Sequence, residues 1–258
     1  MDASDKYMDA AIVRRQDYGP TLFSVWMRPP EPLPFKPGQY VAFGLQNHDK
    51  VLERAFSIVS SPLEPELEFF IEMVPEGALS PQLHKLQIGD QVMMRKKAKG
   101  IFSLDAKSGH TKHFLVSTVT GIAPYVSMVR TLARDLQEGR VTEPNRLIIL
   151  QGAARSDEFA YDGELHEAAE RFPWLTYVPT ISRPWEDPLW PGERGRVDDL
   201  VRKYSDTLGL EPADTTIYLC GNPGMIVNAR DIMRRRGFDN AAIKEETYWA
   251  PGEGEVEY

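Results

Sequence analysis

Cysteine is almost absent from this 258-residue chain: Cys220 stands alone. One thiol cannot form an internal disulfide, a zinc site of several cysteines or a four-cysteine iron–sulfur cluster. Any redox chemistry therefore falls to a bound organic cofactor or a separate partner. The five histidines, His48, His84, His110, His113 and His166, show no metal-binding spacing, and the nearest pair, His110 and His113, reads as part of a solvated loop. No apolar run reaches the roughly 18 residues a membrane helix needs. The opening residues Met1–Asp5 are polar and acidic, without the basic start and apolar core of a signal peptide, so the expected compartment is the cytoplasm. Positive charge is not in excess either. The net charge of −8 argues against nucleic acid as the main partner.

What is present is ordinary globular material, with 42% hydrophobic and 26% charged residues. The length suits one large domain or two average ones. Residues 1–105 carry short strand-like runs such as Thr21–Met27 and Leu67–Val74, separated by turns such as Phe35-Lys36-Pro37-Gly38-Gln39 and Ile88-Gly89-Asp90-Gln91. That rhythm predicts an antiparallel β-barrel, with a short helix near Ser80–Leu86. After about residue 111 the rhythm changes. Strand runs at His113–Ser117, Arg146–Leu150, Leu175–Thr180 and Thr216–Cys220 alternate with helical patterns at Val126–Glu138, Tyr161–Arg171 and Pro223–Arg236. Alternation of this kind predicts a doubly wound parallel sheet. The polar stretch Ala106–Lys112 holds the expected boundary, giving domains 1–108 and 109–258. The first carries 13 Lys+Arg against 14 Asp+Glu and the second 17 against 24, so the acidity is concentrated in the second.

Four short segments carry candidate chemistry. Arg54-Ala55-Phe56-Ser57 opens an apolar strand and supplies a cation, a flat ring and a hydroxyl, the groups a flavin dinucleotide needs at its pyrophosphate, ring system and N5. It also reads as an ordinary strand with an exposed arginine. Gly77–Leu83 starts a helix, where free amides can bind phosphate, or where Ser80 simply caps the helix ahead of Pro81. Thr118-Val119-Thr120-Gly121-Ile122-Ala123-Pro124 joins a strand to a helix at the end of a parallel sheet that binds dinucleotides. Leu219-Cys220-Gly221-Asn222-Pro223-Gly224-Met225 repeats that logic. Its thiol is either functional or a small buried filler.

In this order and spacing, R-x-[YF]-S, G-x-x-S-x-x-L, T-G-I-A-P, C-G-N-P and an aromatic ending resemble the ferredoxin–NADP reductase family, particularly its bacterial branch, over residues 8–249. The resemblance implies an N-terminal FAD-binding barrel and a C-terminal NADP-binding α/β domain. It makes Arg54 the pyrophosphate contact and Phe56 the ring packed on the flavin, with Ala55 beside them and Ser57 near N5. Glu68, Phe69 and Ile71 would lie along the flavin's tail. Ala78, Leu79 and Ser80 would hold the pyrophosphate, and Thr120 would close on the flavin. Cys220 would meet the nicotinamide, with Gly121, Asn222 and Pro223 in the nucleotide turns. Tyr248 and Trp249 would cover FAD.

A 2′-phosphate calls for arginine, whose planar fork of donors matches it. Arg155, Arg183 and Arg196 match positions that bacterial members use for the NADP phosphate, with Arg194 as substitute or assistant to Arg196. NADP is therefore favoured over NAD. The chain departs from the family pattern in three places. Val119 stands where glycine is common, Phe56 replaces tyrosine, and Ala250–Tyr258 extends past the aromatic pair. Either Trp249 keeps its role beside a loose tail, or Tyr258 folds back as a gate.

The implied reaction is hydride transfer between nicotinamide C4 and flavin N5, held within about 3–3.5 Å. Ser57 and a carboxylate such as Glu246 would assist with the N5 proton. The implied partner of this monomeric chain is ferredoxin or flavodoxin, steered by Arg95, Lys96, Lys97 and Lys99, which also read as a solvated basic loop. Two rivals remain open. One is an oxygenase-type NAD(P)H reductase serving a separate iron–sulfur partner. The other is a non-enzymatic FAD-binding regulatory subunit.

Overall fold

The computed structural model describes residues 6–47 and 50–247. The chain divides into two units: one runs to Ser103 and adds Ala123–Arg134, and the other takes Leu104–Ile122 and Asp135 onward.

The first unit holds strands β1 (Tyr7–Asp17), β2 (Leu22–Arg28), β3 (Tyr40–Asn47), β4 (Lys50–Ser57), β5 (Leu67–Glu72) and β6 (Gln91–Arg95), with a one-turn helix α1 (Ser80–Leu83) between the last two. The strands pair antiparallel in the order β4-β3-β6-β1-β2-β5. An antiparallel bridge from Ile58 to Phe69 joins the two edges and closes the barrel. Alternation turns Phe43, Phe69, Ile71, Val92 and Met94 into one shared apolar core.

The second unit is built on β7 (Lys112–Thr118), β8 (Arg146–Ala153), β9 (Leu175–Ile181), β10 (Glu193–Arg194), β11 (Thr215–Gly221) and β12 (Ile243–Thr247). Every pairing is parallel, in the order β10-β9-β8-β7-β11-β12. The helices are α2 (Ala123–Gln137), α3 (Asp162–Arg171), α4 (Val197–Thr207) and α5 (Pro223–Arg235). From β7 the chain winds outward through β8, β9 and β10, then returns to the other side of β7 for β11 and β12. The strand order thus reverses between β7 and β11, where open α/β sheets bind ligands at the carboxyl ends of their strands. Phe114, Ile148, Leu150, Ile217 and Leu219 form a core with Val197 and Val201 of α4 and Met225 and Ile226 of α5.

Two sequence expectations need amendment. The division falls at Ser103, earlier than the expected 106–112, and most of α2 belongs with the barrel. Both apolar and polar contacts tie it there, and the Tyr125 ring stacks on Phe102 with centroids 6.1 Å apart. Ser127 Oγ donates to the Ser60 carbonyl at 2.7 Å, Thr131 Oγ1 bonds Ser61 Oγ at 2.8 Å, and Arg134 donates to the Leu63 carbonyl at 3.0 Å. Helix α4 and strands β10 and β12 were not foreseen. Helix α4 nevertheless carries the apolar spacing Val197, Leu200, Val201, Tyr204, with Gly195 before it and Gly209 after it. No helix among the described residues is long and apolar enough to cross a membrane.

Candidate functional site

Strand β4 delivers the barrel's candidate groups in alternation. Arg54 and Phe56 point to one side, and the Phe56 ring stacks on buried Phe43 with centroids 4.3 Å apart. That contact fixes one face of a half-buried ring. Arg54 is exposed and donates to the Glu53 carbonyl at 2.9 Å, Ala55 is exposed, and Ser57 is buried at the strand's end. These groups fit a planar, anionic cofactor: a backed ring, an exposed cation two residues away and a sheltered hydroxyl.

Other barrel residues named for the flavin have partners within the fold. Phe69 and Ile71 turn their side chains into the barrel core, so only their backbone remains for a ligand. Glu68, expected along the flavin's tail, is 1% exposed and ion-paired with Arg130 of α2. Its position on the face of β5 opposite Phe69 makes it the anchor for that helix. Leu79 is buried in the same core. Ser80 does not cap α1; its Oγ accepts from the Val74 amide at 3.0 Å, closing the 74–80 loop, and Leu79 occupies the cap position without a side-chain bond. Ala78 is exposed, and its carbonyl accepts from Gln82 Nε2 at 2.7 Å. Arg95 is likewise engaged, donating to both Glu53 oxygens and lying 4.3 Å over the Tyr7 ring. That leaves Lys96, Lys97 and Lys99 as the exposed cations, next to Ile101, which is 93% exposed.

At the switch point of the parallel sheet, the two nucleotide-type turns are bonded together. Thr118 Oγ1, ending β7, accepts the Asn222 amide at 2.8 Å. Asn222 Oδ1 caps α5 by accepting from the Gly224 and Met225 amides, with Pro223 at the first helical position. The 3-10 turn Val119–Ile122 lies directly on β11. A Cβ on Gly121 would stand 2.3 Å from the Cys220 carbonyl oxygen, so only glycine allows this approach. Thr120 is half-buried in that turn. Val119 has φ of 41°, the one positive value for a non-glycine among the described residues. For a branched side chain this is strained. Its isopropyl group is held by a small cluster of Ala153, Phe159, Ile181 and Trp190.

Cys220 is fully buried and sits in register with Glu246 on β12 and with Ser117 on β7. Ser117 is in turn in register with Gln151 on β8. The result is a row of four polar side chains across four strands. Sequence reasoning singled out Cys220 and Glu246 and passed over Ser117 and Gln151, whose signal is a polar residue ending an apolar strand run. Ser117 Oγ and Gln151 Nε2 are buried without a partner among the described residues, while Gln151 Oε1 accepts from Tyr177 Oη at 2.8 Å. Burial is the main cause, and Asp162 a second, of a Tyr177 phenol pushed well above its usual range. Tyr248 and Trp249 lie outside the described residues.

The arginines gather at neighbouring strand ends. Ser182 and Arg183 donate their amides to the carbonyls of Ala153 and Ala154, carrying the β8–β9 alignment past the sheet and setting Arg183 beside Arg155. Both reach Glu186, at 3.5 Å each. Arg194 donates to the Pro188 and Trp190 carbonyls. Arg196 precedes α4 and pairs with Asp198 at 3.3 Å. Exposed guanidinium groups at neighbouring strand ends can hold an anion between them.

Comparison with known proteins agrees with this geometry. Residues 21–102 match the oxidoreductase FAD-binding domain family, and residues 115–231 match the oxidoreductase NAD-binding domain family. The flavodoxin/ferredoxin–NADP reductase of Escherichia coli is 30% identical over 85% of this chain and 87% of its own length. The chain belongs to the ferredoxin–NADP reductase family. As a member it is an oxidoreductase that binds FAD and a nicotinamide nucleotide. The reductase component of a Pseudomonas phenol 2-monooxygenase is 32% identical over 93% of this chain, which covers 65% of that protein. A crystal structure of a Neisseria gonorrhoeae ferredoxin NADP+ reductase with bound FAD and NADP shares the fold, with TM-score 0.81 and 22% identity over 95% of this chain and 99% of that one. Within the family frame, β4 belongs to the flavin-binding unit and the Thr118 and Asn222 turns to the nucleotide-binding unit.

Proposed function

We propose that this protein is a ferredoxin/flavodoxin–NADP+ reductase, exchanging electrons between NADP(H) and a one-electron carrier. The observation that carries this reading is the pair of arginines, Arg155 and Arg183, held side by side at the ends of β8 and β9 in the more acidic half of the chain. Two guanidinium forks at one spot are what a 2′-phosphate requires and what a ribose hydroxyl does not.

Bound FAD would supply the exchange between a hydride at nicotinamide C4 and single electrons passed to the carrier. The protein's own residues position and shield. Phe56, backed by Phe43, offers a flat surface, Arg54 a cation for the pyrophosphate, and Ser57 a hydroxyl for the N5 proton. Cys220 and its strand neighbour Glu246 are proposed to serve the nicotinamide end, the thiol by packing and the carboxylate by handling a proton. Thr120, Gly121, Asn222 and Pro223 shape the nucleotide turns, while Arg194 and Arg196 flank the phosphate site. The carrier docks by charge through Lys96, Lys97 and Lys99 around Ile101.

The test is anaerobic reduction of the purified flavoprotein with equal NADPH or NADH in separate samples, followed by addition of oxidised ferredoxin or flavodoxin. Faster bleaching by NADPH, then reoxidation by the carrier, is expected. Bound flavin that neither nucleotide reduces would replace this reading with an FAD-binding regulatory role. A second reading, a reductase component serving an oxygenase, rests on the identity to the phenol 2-monooxygenase component. It gains if the reduced protein passes electrons to a separate iron–sulfur oxygenase and ignores ferredoxin and flavodoxin.

A further inference from the structure

Among the described residues, Glu186 is the one carboxylate that reaches both Arg155 and Arg183. Its place is set by the backbone. Arg183-Pro184-Trp185-Glu186 forms a turn closed by the Glu186 amide donating to the Arg183 carbonyl at 3.0 Å, with proline at the second position where its fixed φ suits such a turn. The turn therefore folds the acid back over the cation three residues earlier. Strand pairing brings Arg155 to the same point.

Arg155 faces two more acids, Asp157 at 3.3 Å and Glu158 at 3.2 Å. These differ from Glu186. Glu158 is tied down, because its second oxygen accepts the Ala154 amide at 2.9 Å. Asp157 touches Arg155 alone among the described arginines. Glu186 makes two long, single contacts at a partly exposed site, a geometry that is loose and easily exchanged.

We propose that Glu186 is an internal competitor for the nucleotide's 2′-phosphate, and that its displacement sets how strongly the protein discriminates NADP(H) from NAD(H). A phosphate taken by Arg155 and Arg183 together has to replace the carboxylate that bridges them. A nucleotide with a plain ribose hydroxyl has no anion to place there and leaves Glu186 where it is. The acid thus weakens NADP(H) binding selectively and moderates a preference that the arginines alone would make steeper. This rests on the reading that these arginines take the 2′-phosphate.

The experiment is calorimetric titration of the FAD-loaded protein with 2′,5′-ADP and, separately, 5′-AMP, for the unaltered chain and for Glu186→Gln. Gln keeps the size and removes the charge. The unaltered chain should prefer 2′,5′-ADP. The substitution should tighten 2′,5′-ADP by about three- to tenfold, with 5′-AMP changed by less than about twofold. The gain should shrink as salt is raised. Unchanged 2′,5′-ADP affinity, or equal tightening of both ligands, overturns the role of Glu186. Equal binding of the two ligands by the unaltered chain instead overturns the phosphate-site reading, whatever the variant does.

Discussion

Thr118 Oγ1 accepts the backbone amide of Asn222 at 2.8 Å, joining residues 104 positions apart at the point where the parallel sheet reverses its strand order. The bond holds the capped start of α5 against the end of β7. Gly221 permits it, since a Cβ there would lie 2.3 Å from the same Thr118 oxygen. Thr118→Val keeps the shape and removes the acceptor. We expect a stability loss of about 1 kcal/mol by urea unfolding and a raised KM for NADPH, with FAD content unchanged.

Gly121→Ala tests the neighbouring turn. The new methyl would meet the Cys220 carbonyl, a backbone atom that cannot swing aside. The turn or the strand has to shift, costing roughly 1–3 kcal/mol as overpacking does. The FAD-binding unit does not contain this contact, so the purified variant should keep its flavin spectrum. Reduction by NADPH should slow at least about tenfold, as misplaced binding groups do.

Arg130→Met should be among the most damaging single changes in the barrel unit. It takes the guanidinium away from the carboxylate of Glu68, which is 1% exposed and pairs with Arg130 across 62 positions of sequence. Removing one partner of a buried pair costs about 3–5 kcal/mol, more than removing both. Arg130→Met combined with Glu68→Leu should recover part of the loss. Thermal unfolding of the singles and the double measures this directly.

Acid should destabilise the second unit through His113, which is not in the solvated loop expected from sequence but 1% exposed within β7. Burial first, and the nearby His110 second, lower its pKa from 6.5 to about 4. Its Nε2 lies 3.0 Å from Asn145 Nδ2, a donor, so a proton on that nitrogen would break the contact. The unfolded chain takes up a proton near pH 6.5 that the folded chain refuses until about 4. Stability contributed by neutral His113 is therefore complete above about 6.5 and declines as pH falls toward 4. Urea unfolding at pH 7 and pH 5 should show this fall, and His113→Asn should show less of it.

Sequence by itself determined the two architectures and the candidate turns. Period-two alternation, strand–helix alternation and glycine–proline punctuation are local properties, so β4 with Arg54 and Phe56, the Gly121 turn and the Asn222 turn were all legible from a few residues at a time. Helix α4 carries the same kind of signal in Val197, Leu200, Val201 and Tyr204, but Arg196 at its cap position offers no side-chain cap to mark its start. Tertiary structure alone decided which charges are already engaged. Glu68 with Arg130, Arg95 with Glu53, and Glu186 with Arg155 are separated by tens of residues. Spacing along a chain carries no information about such pairs, because chain reversals and strand register bring them together. The strain at Val119 belongs there as well: the residue type shows only that a left-handed backbone is costly, while the cluster of Phe159, Ile181 and Trp190 around it is what holds that conformation in place.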